Sequence, residues 1–207
     1  MSANIEKFKN KSITESSIIK KGLKISKKFE DSSSYSSDLN QDWGKYYDLG
    51  YSYHSKNNFR EALKYYFKSF DLNNNPLSLT AIGLCYMGLD DHQKSIEFFS
   101  KSLHMDPVQE FVYYNRGKCY IFIKDLDSAI DDLNTALDLD DENYDFYGTR
   151  GYVFFLQKKY QKAIKNLTRS IDLNPEKFYL QIRAQVFLEI NDIEKYKNDI
   201  ELSKRYK

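Results

Sequence analysis

The stretch YYNRGKCYIFIKDLDSAIDDLNTALDLDD, running from Tyr113 to Asp141, decides the fold. Its apolar residues return every three or four positions in two blocks, the spacing of two amphipathic helices joined by a short turn. Sliding this stretch along the chain superposes four further copies, two before it and two after. The key small residue of each copy is Gly50, Gly83, Gly117, Gly151 and Ala184, at spacings of 33, 34, 34 and 33 residues.

Other positions keep the same phase. Four before the key residue stand Tyr46, Leu79, Tyr113, Tyr147 and Leu180. Three after it stand Tyr53, Tyr86, Tyr120, Phe154 and Phe187, and twelve after it Ala62, Ser95, Ala129, Ala163 and Tyr196. Sixteen after it stand Tyr66, Phe99, Leu133, Leu167 and Ile200. Glycine inside a helix costs about 1 kcal/mol relative to alanine. Its recurrence implies close packing there, and the expectation is that the two helices of a copy approach where both carry small residues. A second pattern supports the frame. Arg116, Arg150 and Arg183 precede the key residue in the last three copies, and fifteen past it lie Asp132, Asn166 and Asp199. Each arginine is expected to bury its stem and to satisfy its planar head on that carboxylate or amide.

These positions, together with Asp106-Pro107 and Asn174-Pro175 closing their units, resemble the tetratricopeptide repeat family. The likeness covers residues 41–206, nearly the whole of the patterned chain. It implies an all-α fold: a right-handed α-solenoid of antiparallel helix pairs. The repeats are expected at about 43–75, 76–109, 110–143, 144–176 and 177–207. In the fifth, Ala184 replaces glycine, Tyr196 replaces the small residue and the last turn is charged, as suits a terminal cap. Residues 1–40 are different in kind, rich in lysine, serine and asparagine with a net charge of +3 over 1–38, and read as a flexible segment preceding the array.

Composition narrows the functional classes. The chain of 207 residues carries a net charge of +1, which favours neither nucleic acid nor an anionic membrane. Tyrosine (18) and phenylalanine (14) fall mostly on repeat positions and read first as packing residues. Cys85 and Cys119 occupy equivalent sites of neighbouring copies, too far apart for a disulfide, and read as buried thiols of a cytoplasmic protein. No apolar run suits a bilayer and no apolar leader is evident. His54, His92 and His104 lack metal-ligand spacing. Phosphate-loop, nucleophile-elbow and calcium-loop signatures are missing. The expectation is therefore a non-enzyme with no cofactor, no metal and no catalytic residue.

The resemblance implies a binding groove on the concave side, lined by the first helix of each pair. Projected onto this chain, the candidate residues are Tyr47, Tyr51, Thr80, Leu84, Phe111, Tyr114, Lys118 and Tyr152. Tyrosine offers contact area at low entropy cost, which suits peptide recognition. One subgroup of the family clamps the C-terminal carboxylate of heat-shock chaperones with lysine, asparagine and arginine. Of those positions only Asn115 matches here, so a clamp of that kind is not expected. The implied function is a protein–protein interaction scaffold or adaptor that takes a peptide or helix in its groove. The alternative is a structural subunit that packs through its convex face or its ends.

Overall fold

The structure is a computed structural model that describes residues 42–206; the expectation for residues 1–40 lies outside them. The described residues form ten α-helices and no strand. In chain order they are α1 (Asp42–His54), α2 (Phe59–Leu72), α3 (Pro76–Gly88), α4 (His92–Met105) and α5 (Glu110–Phe122). After these come α6 (Leu126–Leu139), α7 (Tyr144–Leu156), α8 (Tyr160–Leu173), α9 (Lys177–Glu189) and α10 (Ile193–Ser203). The chain divides into two compact units, one ending at Cys119 and one beginning at Tyr120, the division falling within α5.

The five hairpin turns are one motif repeated. Asn57, Asp90, Lys124, Lys158 and Asn191 all take the left-handed conformation, with φ between 58° and 65°. The following N–H reaches back five residues, as in Asn58 N–H to Tyr53 O (3.0 Å), Asp91 to Tyr86 (2.9 Å), Asp125 to Tyr120 (2.9 Å), Lys159 to Phe154 (2.8 Å) and Asp192 to Phe187 (2.8 Å). This is a Schellman closure, which satisfies the last carbonyls of the first helix. The residue that donates the long bond is also the N-cap of the second helix. Asn58, Asp91, Asp125 and Asp192 accept from the N–H three residues on, and Lys159 has no side-chain cap. Asp91 is thus the cap of α4, and Asp90 the left-handed residue before it.

Pro76 starts the second pair. It sits in the first turn of α3, where a missing N–H costs nothing. Asn75, held extended, accepts from Ser78 N–H at 2.9 Å.

In the first unit α1 packs on α2, α2 on α3 and α3 on α4. On α2 the buried Phe59, Ala62, Tyr66 and Ser69 form one stripe. Helix α3 is apolar almost all round and buried continuously from Ser78 to Cys85. The core gathers Trp43, Tyr47, Phe59, Tyr66, Ile82 and Cys85. In the second unit α6 packs on α7, α7 on α8, α8 on α9 and α9 on α10. Arg183 lies against Asp199 with two bonds of 2.8 Å, and Arg150 Nε donates to Asn166 Oδ1 at 2.9 Å, as the arginine pattern anticipates.

The reason for the key glycines differs from small meeting small. Gly50, Gly83 and Gly151 make room for the bulky side chain sixteen residues on. A Cβ at Gly50 would lie 2.7 Å from a Tyr66 ring carbon, at Gly83 2.6 Å from one of Phe99, and at Gly151 2.8 Å from Leu167 Cγ. Tyr66, Phe99 and Leu167 are wholly buried, so the backbone of the first helix is the floor on which they rest.

Candidate functional site

Seven of the eight candidate groove residues lie in the first unit, on the first helices α1, α3 and α5. Their environments are not alike. Tyr47 is inside the core, with its ring centroid 5.2 Å from that of Tyr66, and burial pushes its phenol well above the ordinary range. Thr80 is equally enclosed and shares a 2.8 Å hydrogen bond with Ser102 of α4, so it fastens α3 to its own hairpin partner. Leu84 is buried as well.

The rest form a more open group. Tyr51 on α1 and Phe111 on α5 are half-buried. Phe111 lies 6.4 Å from Tyr114, and Lys118 Nζ stands 5.4 Å above the Tyr114 ring, one turn further along α5. That stack places a cation on an aromatic face, a contact that strengthens where water is excluded. Lys118 and Tyr114 are themselves buried, at 1% and 7% exposure, so the more accessible candidates are Phe111 beside them and Tyr51 on α1. Asn115, the one residue shared with the carboxylate clamp, turns its amide nitrogen to Phe111 O at 2.8 Å.

His54, one turn beyond Tyr51, is also enclosed. It approaches Cys85 Sγ through Nδ1 at 3.4 Å and packs edge-on to Phe59. Burial lowers its pKa from 6.5 to about 4, so the ring is neutral near pH 7. Burial likewise pushes the Cys85 thiol up, which makes it an inert packing group.

Tyr152 is the corresponding residue on α7 in the second unit. It is buried, with its ring 6.5 Å from Phe178 of α9. Gly148 lies one turn before it on α7, and the space above that glycine is filled. A Cβ at Gly148 would lie 2.4 Å from Tyr179 of α9, whose hydroxyl donates to Asp145 Oδ1 at 2.8 Å. The repeat phase could not show this plug, because it arises from the next repeat reaching across.

Among the described residues no group of three or more His, Cys, Asp or Glu side chains is placed to hold a metal ion. Within the same residues no helix is long and apolar enough to cross a membrane.

The geometry defines a class first: a series of short helical hairpins, each closed by the same turn, with small-residue positions on the first helix that seat a bulky side chain of the second. The tetratricopeptide repeat family model matches residues 46–76, 78–109, 112–143 and 144–177, and the chain belongs to that family. The fifth hairpin, with Ala184 and Tyr196 at the signature positions, lies beyond the matched segments but closes in the same way.

A comparison with curated proteins finds no match. Solved structures of similar fold include MamA from Desulfovibrio magneticus RS-1, 20% identical over 82% of this chain and 95% of that one, with a TM-score of 0.75. Another is TTC0263, a thermophilic repeat protein of Thermus thermophilus, 15% identical over 78% and 89% of the two chains, with a TM-score of 0.64. YrrB, described as a repeat protein with an unusual peptide-binding site, is 15% identical over 76% and 82%, with a TM-score of 0.65. At these identities the likeness is one of fold.

Proposed function

We propose that this chain is an interaction scaffold that takes a peptide or a helix of a partner protein on the face of its first unit formed by α1, α3 and α5. The observation that carries this reading is the half-buried Phe111 ring beside the Lys118–Tyr114 stack on α5, with a second half-buried ring, Tyr51, on α1. Rigid rings with little rotamer freedom, next to a positioned cation, are the composition of recognition hot spots. Tyr47, Thr80 and Leu84 then act as the support that holds α1 and α3 in place, and Tyr152 as the corresponding support in the second unit. Proteins of this family generally act as non-catalytic scaffolds, and on this reading the protein works in the cytoplasm without cofactor or metal. Its partner is protein rather than nucleic acid, lipid or a chaperone C-terminal carboxylate.

Photo-crosslinking tests the reading. A benzophenone amino acid placed at Tyr51 or Phe111 should attach a partner peptide, and Tyr51→Ala should abolish that capture with the melting temperature unchanged. Crosslinks arising only from the ends of the second helices would overturn it. They would favour instead a structural subunit, a reading supported by Leu72 and Met105, both 41% exposed at the ends of α2 and α4.

A further inference from the structure

The fourth repeat breaks the capping rule that the other four obey. Its N-cap position is Lys159, where each of the others has asparagine or aspartate. Its left-handed turn residue is Lys158, where asparagine or aspartate serves in the first, second and fifth copies. A left-handed lysine is sterically disfavoured, a lysine cannot cap, and cations at the start of α8 face the positive end of the helix dipole. The excess of positive charge continues along the helix. Lys159, Lys162, Lys165 and Arg169 line one side, and no other copy is basic at all four of those positions.

These side chains border a groove of about 890 Å³ in the second unit, between α6, α7 and α8. Its floor is aromatic. Tyr147 carries two guanidinium groups over its ring, Arg150 at 5.7 Å and Arg169 at 5.8 Å, and Lys162 stands 5.5 Å from the Phe154 ring. Arg150 is half-buried, yet its bonds go to two neutral amides, Asn166 at 2.9 Å and Asn134 at 2.8 Å. The equivalent Arg183 has a carboxylate, Asp199. Burial lowers the Arg150 pKa more than the nearby Tyr147 and Asp138 raise it, and neither of them is bonded to the guanidinium. Among the described residues Lys159, Lys162, Lys165 and Arg169 form no ion pair. Five cations line the groove against two acids, Asp127 and Asp131, both on the α6 side. Asp127 is engaged by the Gln157 amide at 2.9 Å.

We infer that this groove is a second docking surface, distinct from the first-helix face, and that it receives an acidic segment of a partner protein lying along α8. Carboxylates of the segment supply the charge that Arg150 and Arg169 lack, in the planar fork geometry that guanidinium matches best. An apolar side chain of the segment rests on Ile130 and Phe154, which a simple inorganic anion would leave uncovered. The N-terminal segment of this chain carries the wrong sign of charge to be the occupant.

The test uses a fluorescein-labelled ten-residue peptide of glutamates with one central leucine, followed by anisotropy on the full chain. It should bind, and more weakly as salt rises. Reversing three exposed cations, Lys162→Glu, Lys165→Glu and Arg169→Glu together, should weaken it by about tenfold or more while the circular dichroism is unchanged. Tyr51→Ala should leave it intact, which separates this site from the first-helix face. No binding, or binding unaffected by the triple reversal, overturns the inference. Tripolyphosphate competing as well as the peptide, with leucine replaceable by glycine at no loss, identifies a plain anion site and overturns the peptide reading.

Discussion

Gly83→Ala is the sharpest test of how the hairpins are held together. In a free helix the change should stabilise, by about 1 kcal/mol, because alanine is the better helix former. Here the new methyl would stand 2.6 and 2.7 Å from two ring carbons of Phe99. Contacts that short are not tolerated, and Phe99 is fully buried and cannot swing aside. Overpacking of a rigid core costs about 1–3 kcal/mol, and a clash against an enclosed ring belongs at the upper end. The net expectation is a loss of about 2 kcal/mol, or roughly 4–8 °C in Tm for a chain of this size. Urea unfolding followed by circular dichroism measures it. Pairing the change with Phe99→Leu isolates the cause. In that background the methyl has room, and the penalty of Gly83→Ala should shrink by more than half. If Gly83→Ala raises stability, or if its cost is the same with leucine at 99, then the glycine is not there to seat the ring and the packing argument fails.

Two further expectations concern single side chains. His54 has a folded pKa of about 4 against 6.5 unfolded. Between those values the unfolded chain binds a proton that the folded one does not, so this contribution is fully present above pH 6.5 and is lost as pH falls towards 4. The difference corresponds to about 3 kcal/mol. A stability profile from pH 7.5 to 4 should fall accordingly, and His54→Leu should remove that part of the slope; an unchanged slope refutes the assignment. Lys158→Asn with Lys159→Asp should restore the turn and the cap and stabilise the chain by about 1–2 kcal/mol in urea unfolding, while weakening the acidic peptide. A pair that stabilises without touching peptide affinity would remove Lys159 from the docking surface.

The architecture was legible in the sequence because it depends on short-range terms repeated in phase. The two helices of each repeat and the arginine contacts at Asn166 and Asp199 follow from spacing within one copy. A helix pair fixes its own register, so any contact between its two helices recurs at a constant offset and shows up as periodicity. What the repeat frame misjudged lies one step further out. It paired small residue with small residue, whereas the glycines face Tyr66, Phe99 and Leu167. An offset of sixteen is as regular as one of twelve, and only three-dimensional packing says which of two periodic positions touches the glycine.

The same distinction governs function. By itself the sequence determined that this is a tetratricopeptide repeat chain and which residues ride on the first helices. Tertiary structure alone decided which of those are surface and which are core. It enclosed Tyr47, Thr80 and Leu84, left Tyr51 and Phe111 half-open, and filled the Gly148 position with Tyr179. It also gathered Arg150, Arg169 and Lys162 around two aromatic rings in one groove. Periodicity specifies the direction in which a side chain leaves its helix; whether anything stands in its way depends on a neighbouring repeat, and the volume that neighbour occupies is not written at any fixed offset.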